Sequence, residues 1–401
     1  MGGRDEAGRE LARSARPRTE PATTMTIIDR YLLRQYVQTL VICYVSLTGL
    51  YVVFDAFTNI EEFLRAAPDG GGLFRLMGSY YGYRAVFLFD RLAGILVLCA
   101  AMFTVTWIQR NNEMTALLAA GVPKLRVIAP VVAACAVTTL SAAANRELVI
   151  PRFREELSRP TNDLLGERAQ EFNQQFDNRT DIIIGGRAAF ADGRRIAEPR
   201  LLLPDALAHY GNQLVAREAF YHPPRDDRPG GYLLVRVSRP EGLDQRPSLS
   251  LGERPVILTP YDTPWLEAGE CFVVSGLTFE QLTAGRGWRE FASTGQLIAS
   301  LRNPSLGFGA DVRVAVHSRF VQPLLDMTLL FLGLPLVLAR NSRNIFAAIG
   351  MCMAVASGFV LVVLACQYLG ASYAVSPALA AWLPLILFVP PAVVMFDRIL
   401  E

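Results

Sequence analysis

The chain has 401 residues, 52% of them hydrophobic and 19% charged. That is enough for two or three domains and too apolar for a disordered, collagen-like or disulfide-miniprotein class. Lys+Arg 39 against Asp+Glu 37 gives a formal net charge of +2, too balanced for a nucleic-acid binder working through bulk charge. Lys124 is the only lysine and sits between Pro123 and Leu125. The GxxxxGK[ST] loop that sets a lysine on the β/γ-phosphates is therefore absent, and no ATPase activity through a Walker site is expected.

Residues 1–24 carry Arg, Pro and Glu but no apolar stretch. They read as a disordered tail, or as a mis-called start upstream of Met25, and not as a signal peptide. A membrane span needs about 20 consecutive apolar residues. Gln35–Phe54, Leu92–Gln109 and Val127–Asn145 are charge-free, and Phe320–Ala339 is interrupted only by Asp326. Asn344–Phe396 carries no charge and is too long for one span; Gly370-Ala-Ser-Tyr373 and Ser376-Pro377 split it in two. Six spans are predicted. Between the first two, Leu73–Leu88 is aromatic (Phe74, Tyr80, Tyr81, Tyr83, Phe87). It is predicted to lie on the outer surface as a helix that turns into span 2 near Asp90-Arg91.

Short-loop charge sets the orientation. Arg30, Arg34, Arg110, Lys124, Arg126, Arg340, Arg343 and Arg398 all fall on one side of a six-span chain, which predicts both termini in the cytoplasm. Between spans 2 and 3, Met114, Leu117, Leu118 and Gly121 recur at i, i+3, i+4 and i+7 behind Glu113, the pattern of a short amphipathic helix over 111–121. Asn111 or Asn112 is a candidate cap, Gly121 a terminator and Pro123 a stop. Its apolar face must be buried, either on its own protein, on lipid, or in the groove of a partner.

Charge, Pro and Gly density rise over residues 146–313. Short β-type runs recur there: 181–184, 200–203, 213–221, 232–238, 255–259 and 271–275. Turn signals such as Gly185-Gly186, Ala191-Asp-Gly193 and Pro229-Gly-Gly231 separate them. The pattern predicts a sandwich or jelly roll, with Ser293–Leu301 as a capped helix near its end. The expected fold is an α-helical membrane protein of six spans, 25–145 and 314–401, with an all-β extracytoplasmic domain inserted after the third.

The six Cys (43, 99, 135, 271, 352 and 366) form no CxxC pair, and read as small buried hydrophobes. His209, His222 and His317 form no metal or triad pattern, so neither a metal nor a cofactor is expected. Asp326 lies inside span 4, where an ionisable group costs a few kcal/mol unless it faces protein or water. Arg319, two turns back, is its candidate partner by snorkelling. Arg84 and Arg91, with Asp55 and Asp90 nearby, sit near the outer interface as plain interface charges or as contacts for anionic lipid.

This layout, with local motifs in order, resembles the LptF/LptG (YjgP/YjgQ) permease family over residues 25–401. The motifs are Ile28-Asp-Arg-Tyr-Leu32, Glu113–Gly121, Asn145–Pro151, Val215–Ala219 and His317–Phe320 with Pro323. Val45–Gly49 followed by Phe54-Asp55 is more similar to the G-type than to the F-type subunit. The resemblance implies the membrane subunit of an ABC exporter that extracts lipopolysaccharide or a related lipid from the inner membrane. It implies cytoplasmic ABC ATPase subunits, a second permease of the family and a periplasmic β-jellyroll bridge protein as partners, and lipid as cargo. It assigns ATPase coupling to Glu113, Met114, Leu117, Leu118 and Gly121. It makes Arg84, Arg91, Arg319 and Asp326 candidates for lipid or gating contacts. One departure is Leu50–Phe54, where G-type members often carry a basic residue and this chain has none. The competing readings are a membrane-anchored scaffold or sensor with a ligand-binding β domain, and a secondary transporter. The internal repeats typical of the latter are not seen.

Overall fold

A computed structural model describes residues 27–66, 70–158, 174–190, 192–225, 228–252, 254–283, 287–306, 309–339 and 345–400. The expectations for residues 1–24, for Ala191, and for Arg340 and Arg343 fall outside these residues, as do those for the side chains of His209, Cys352 and Arg398. Among the described residues six helices are long and apolar enough to span a membrane. They belong to α1 (Ile27–Ala66), α2 (Gly70–Arg110), α4 (Lys124–Ala144), α9 (Ala310–Ala339), α10 (Ile345–Ala371) and α11 (Pro377–Leu400). The short α3 (Glu113–Ala119) joins α2 to α4.

The apolar runs mark the spans but not the helix ends. At about 1.5 Å per residue, α2 is about 60 Å long, twice the hydrocarbon core, and α1, kinked at Asn59, has nearly as many residues. Leu73–Leu88 is not a separate surface helix. It continues into α2 without a break, because no proline intervenes and Asp90, at the expected turn, is neutralised in place by Arg146. The projecting ends of α1 and α2 pack on each other through Phe63, Tyr80 and Tyr81, with ring centroids 5.1–5.7 Å apart.

The bundle is centred on α9. Its Leu325, Leu329 and Leu334 pack with Leu98 and Met102 of α2, Ile128 of α4, Phe359 of α10 and Ala392 of α11. Helix α1 differs from the rest. None of its residues in its most apolar 18-residue window is buried, against 61% for α9.

After α4 the chain leaves the bundle through a π turn (Asn145–Val149), a 3₁₀ turn (Ile150–Phe153) and α5 (Arg154–Ser158). Among the described residues ten strands follow: β1 (Gln175–Asp177), β2 (Ile182–Gly185), β3 (Ala188–Phe190), β4 (Arg195–Ala197), β5 (Arg200–Leu202), β6 (Gln213–His222), β7 (Gly231–Arg239), β8 (Leu249–Leu251), β9 (Arg254–Leu258) and β10 (Glu270–Val274). The six predicted runs are β2, β5, β6, β7, β9 and β10; β1, β3, β4 and β8 are three residues each, too short to show a period in the sequence, and the equally short β5 is marked by its leucine triplet 201–203. All pairs are antiparallel, in the order β1-β2-β5-β6-β7-β10-β9-β8, with β4 pairing β3 and β6. Setting β7 beside β10 of the β8-β9-β10 meander makes a Greek key, the unit from which jelly rolls are built. One face buries Ile182, Ile184, Leu201, Leu214, Leu234, Ile257 and Val273.

The chain returns through α6 (Phe279–Thr283), α7 (Gly287–Phe291) and α8 (Thr294–Leu301) to α9. The predicted cap on α8 is a full capping box between Ser293 and Gln296.

Candidate functional site

The candidate residues gather at two ends of the bundle. One is the end that carries the first turn of α1 and the α2–α4 connection. There α3 starts after Asn112, which has φ 59°, and stops before Gly121, which has φ +82°. Gly121 N donates to Leu118 O and Val122 N to Leu117 O, each at 3.0 Å. Only a residue at ease with positive φ closes a helix this way, and Pro123 then holds the chain extended. Asn112 occupies the cap position as predicted, but its left-handed backbone does not let its side chain cap the helix.

The amphipathic face divides. Met114 is buried and Leu117 half-buried, in one cluster with Leu32, Tyr36, Ile108 and Val127. Leu118 is exposed. The face is thus partly consumed by its own bundle, leaving Leu118 and Glu113 to the outside. Tyr31 donates its hydroxyl to Glu113 Oε1 at 3.2 Å. Between α1 and α3 lies a cleft of about 320 Å³ lined by Ile28, Tyr31, Ile108, Glu113 and Leu117. Arg126, at the start of α4, donates to Asp29 Oδ2 at 2.9 Å.

The other end is the junction of the bundle with the β domain, where the π turn sets three consecutive polar side chains against different neighbours. Asn145 donates to Val86 O at 2.9 Å. Arg146 embraces Asp90 of α2, its Nε 3.0 Å from both carboxylate oxygens and its Nη2 2.9 Å from Oδ1. Glu147 accepts from Thr294 N at 2.9 Å and from the Thr294 hydroxyl at 2.5 Å. A π turn adds one residue to the helical repeat and so turns side chains onto faces an α-helix would not give them. The sequence marks Asn145–Pro151 as a motif but gives Arg146 and Glu147 no role, because 3.6-residue periodicity carries no signal for such a turn.

Arg319 and Asp326 do not pair. Arg319 donates to the carbonyls of Ala292 at 2.6 Å, Arg289 at 3.0 Å and Glu290 at 3.4 Å. Carbonyls at a helix end lack intrahelical partners and sit at its negative pole, so the guanidinium is better satisfied at the end of α7 than two turns away on its own helix. Asp326 is buried and accepts from Gln322 Nε2 at 2.8 Å, one turn back. Its carboxylate faces Gly94 of α2, where an added Cβ would stand 2.5 Å from Oδ1. Arg84 donates to the Tyr80 hydroxyl at 3.2 Å and lies over the Tyr80 ring, and its Nε is buried without a hydrogen-bond partner. Arg91 is exposed on α2.

The geometry therefore offers two mechanical joints and a large apolar surface. A family model described as Lipopolysaccharide export system permease LptF/LptG matches residues 30–196 and 270–398. The matched segments take in α3 and both sides of the β-domain junction; 197–269, which holds β5 to β9, lies between them. No curated protein matches the chain.

Proposed function

The chain belongs to the LptF/LptG family of lipopolysaccharide export permeases, and from that premise we propose that it is the subunit that turns ATPase motion outside the bundle into lipid movement through it. The observation that carries the reading is the family match across six apolar helices and the root of an inserted antiparallel domain. The charge pattern of Arg30, Arg34, Arg110, Lys124 and Arg126 supports cytoplasmic termini and a periplasmic β domain. A partner ABC ATPase subunit docks at α3, against exposed Leu118 and against Glu113, whose carboxylate faces an arginine of the ATPase. A second permease of the family and lipid share the unburied apolar face of α1. Lipid leaves by way of the β domain, which hands it to a periplasmic bridge protein of like fold. Ile182 and Ile184 fill the domain's own core, so acyl chains enter only where that core opens.

Glu113→Lys is expected to release the ATPase from the tagged complex while the chain still inserts, since breaking a close interfacial charge pair costs about 2–5 kcal/mol. An acidic residue in place of the partner's arginine is expected to restore part of the binding. Full retention of the ATPase by Glu113→Lys removes α3 as the docking element. A photo-crosslinker at Ile184 is expected to capture lipid only while ATP is turned over; capture indifferent to ATP favours a ligand-binding scaffold.

A further inference from the structure

Two polar bonds cross from the first two turns of α1 to the two sides of α3. Tyr31 holds Glu113, the first residue of α3, at 3.2 Å. Asp29 holds Arg126, in the first turn of α4, at 2.9 Å. Between them Met114 packs into the cluster that contains Leu32 and Tyr36 of α1. The Tyr36 hydroxyl is 3.1 Å from the Thr138 hydroxyl of α4. The start of α1 is thus bonded to α3 and to α4, the helix that follows it. Farther along, no residue from Val37 to Glu62 is buried, and the next buried one is Phe63.

Helix α3 is held to the bundle on one side only, through Met114 and Leu117. It has seven residues, and both of its ends are positive-φ positions, Asn112 and Gly121. Pushed from outside, such a segment rotates about its ends unless bonds fix its orientation. We propose that Tyr31 and Asp29 are positioning residues that lock α3 to α1, so that a displacement imposed on α3 is delivered to α1 as one body. The inference rests on the docking of an ATPase at α3. Its physical content is that the locked end moves the part of α1 that precedes its kink at Asn59, a stretch that rests on α2 through Tyr44 and has no fully buried side chain after Tyr36.

The test uses the full complex of both permeases and the ATPase in nanodiscs. Spin labels are placed at exposed Ala119 (α3), Val41 (α1) and Phe320 (α9). On trapping with vanadate after ATP hydrolysis, the Ala119–Val41 distance is expected to stay fixed while Val41–Phe320 changes. In Tyr31→Phe with Asp29→Asn, the Ala119–Val41 distribution is expected to broaden and the lipid released per ATP to fall about fivefold, the lower range of an ordinary coupling free energy. An Ala119–Val41 distance that changes on trapping, a Val41–Phe320 distance that does not, or unaltered lipid per ATP in the double variant overturns the proposal. If the neutral variants fail to assemble, the charge swap Asp29→Arg with Arg126→Asp decides. Each half alone is expected to uncouple, and the pair to recover coupling; a pair that assembles without recovery overturns the lock. Retention of the ATPase is measured in the same samples. Its loss from the wild-type chain, or full retention by Glu113→Lys, refutes docking at α3, whereas normal retention with unaltered lipid per ATP refutes only the lock.

Discussion

Removing one partner of the Asp90–Arg146 pair strands the other charge. The Asp90 side chain is 8% exposed and that of Arg146 19%, and three N–H···O contacts of 2.9–3.0 Å join them. Breaking a buried pair from one side costs about 3–5 kcal/mol, most of it from the uncompensated charge. Arg319 lies within electrostatic reach of Asp90 and Arg146 and offsets part of the loss when Arg146 is removed. Arg146→Ala is therefore expected near the lower figure, about 3 kcal/mol, or roughly a hundredfold in the folded-to-unfolded ratio. Asp90→Ala leaves Arg146 and Arg319 facing each other without the shared carboxylate, and is expected to cost more. Asp90→Ala with Arg146→Ala removes both charges, so its cost is expected to fall well below the sum of the singles. Unfolding free energies in mixed micelles of denaturing and mild detergent, taken through the complete double-mutant cycle, measure the difference. Single costs that add without a coupling energy would refute the view of this pair as a buried bolt between α2 and the stem of the β domain.

Three further outcomes are expected. At Gly370 an added Cβ would stand 2.4 Å from Ala380 Cβ and 2.8 Å from Val314 Cγ2; Gly370→Ala forces α10 off its neighbours and is expected to cost about 1–3 kcal/mol in the same micelle assay. Gly231→Ala would place a Cβ 2.1 Å from the Val273 carbonyl oxygen, inside the β7–β10 ladder, and is expected to leave the β domain open to limited proteolysis while the helices still insert. Burial pushes the Cys271 thiol up to about 12. Since the thiolate is the reactive form, maleimide labelling of Cys271 at pH 8 is expected to be at least about a hundredfold slower than after unfolding; rapid labelling of the native protein would place β10 outside the core.

The six apolar runs, the inserted strand-rich stretch and the amphipathic segment at 113–121 are legible in the sequence. Each is a local repeat of hydrophobicity set by the bilayer or by one face of one element. The order of motifs such as Ile28–Leu32 and Glu113–Gly121 adds the resemblance to the permease family. The places where elements meet carry no such periodic trace. Leu73–Leu88 looks like an interfacial helix until Arg146, 56 positions beyond Asp90, satisfies that carboxylate and lets α2 run through. Arg319 looks like a partner for Asp326 along a single helix, until α7 brings its carbonyl oxygens closer. Arg146, Glu147 and the Tyr31–Glu113 bond arise only after separate segments pack together. A buried charge takes the partner that desolvation and geometry leave within about 3 Å, and the folded chain decides which residue that is.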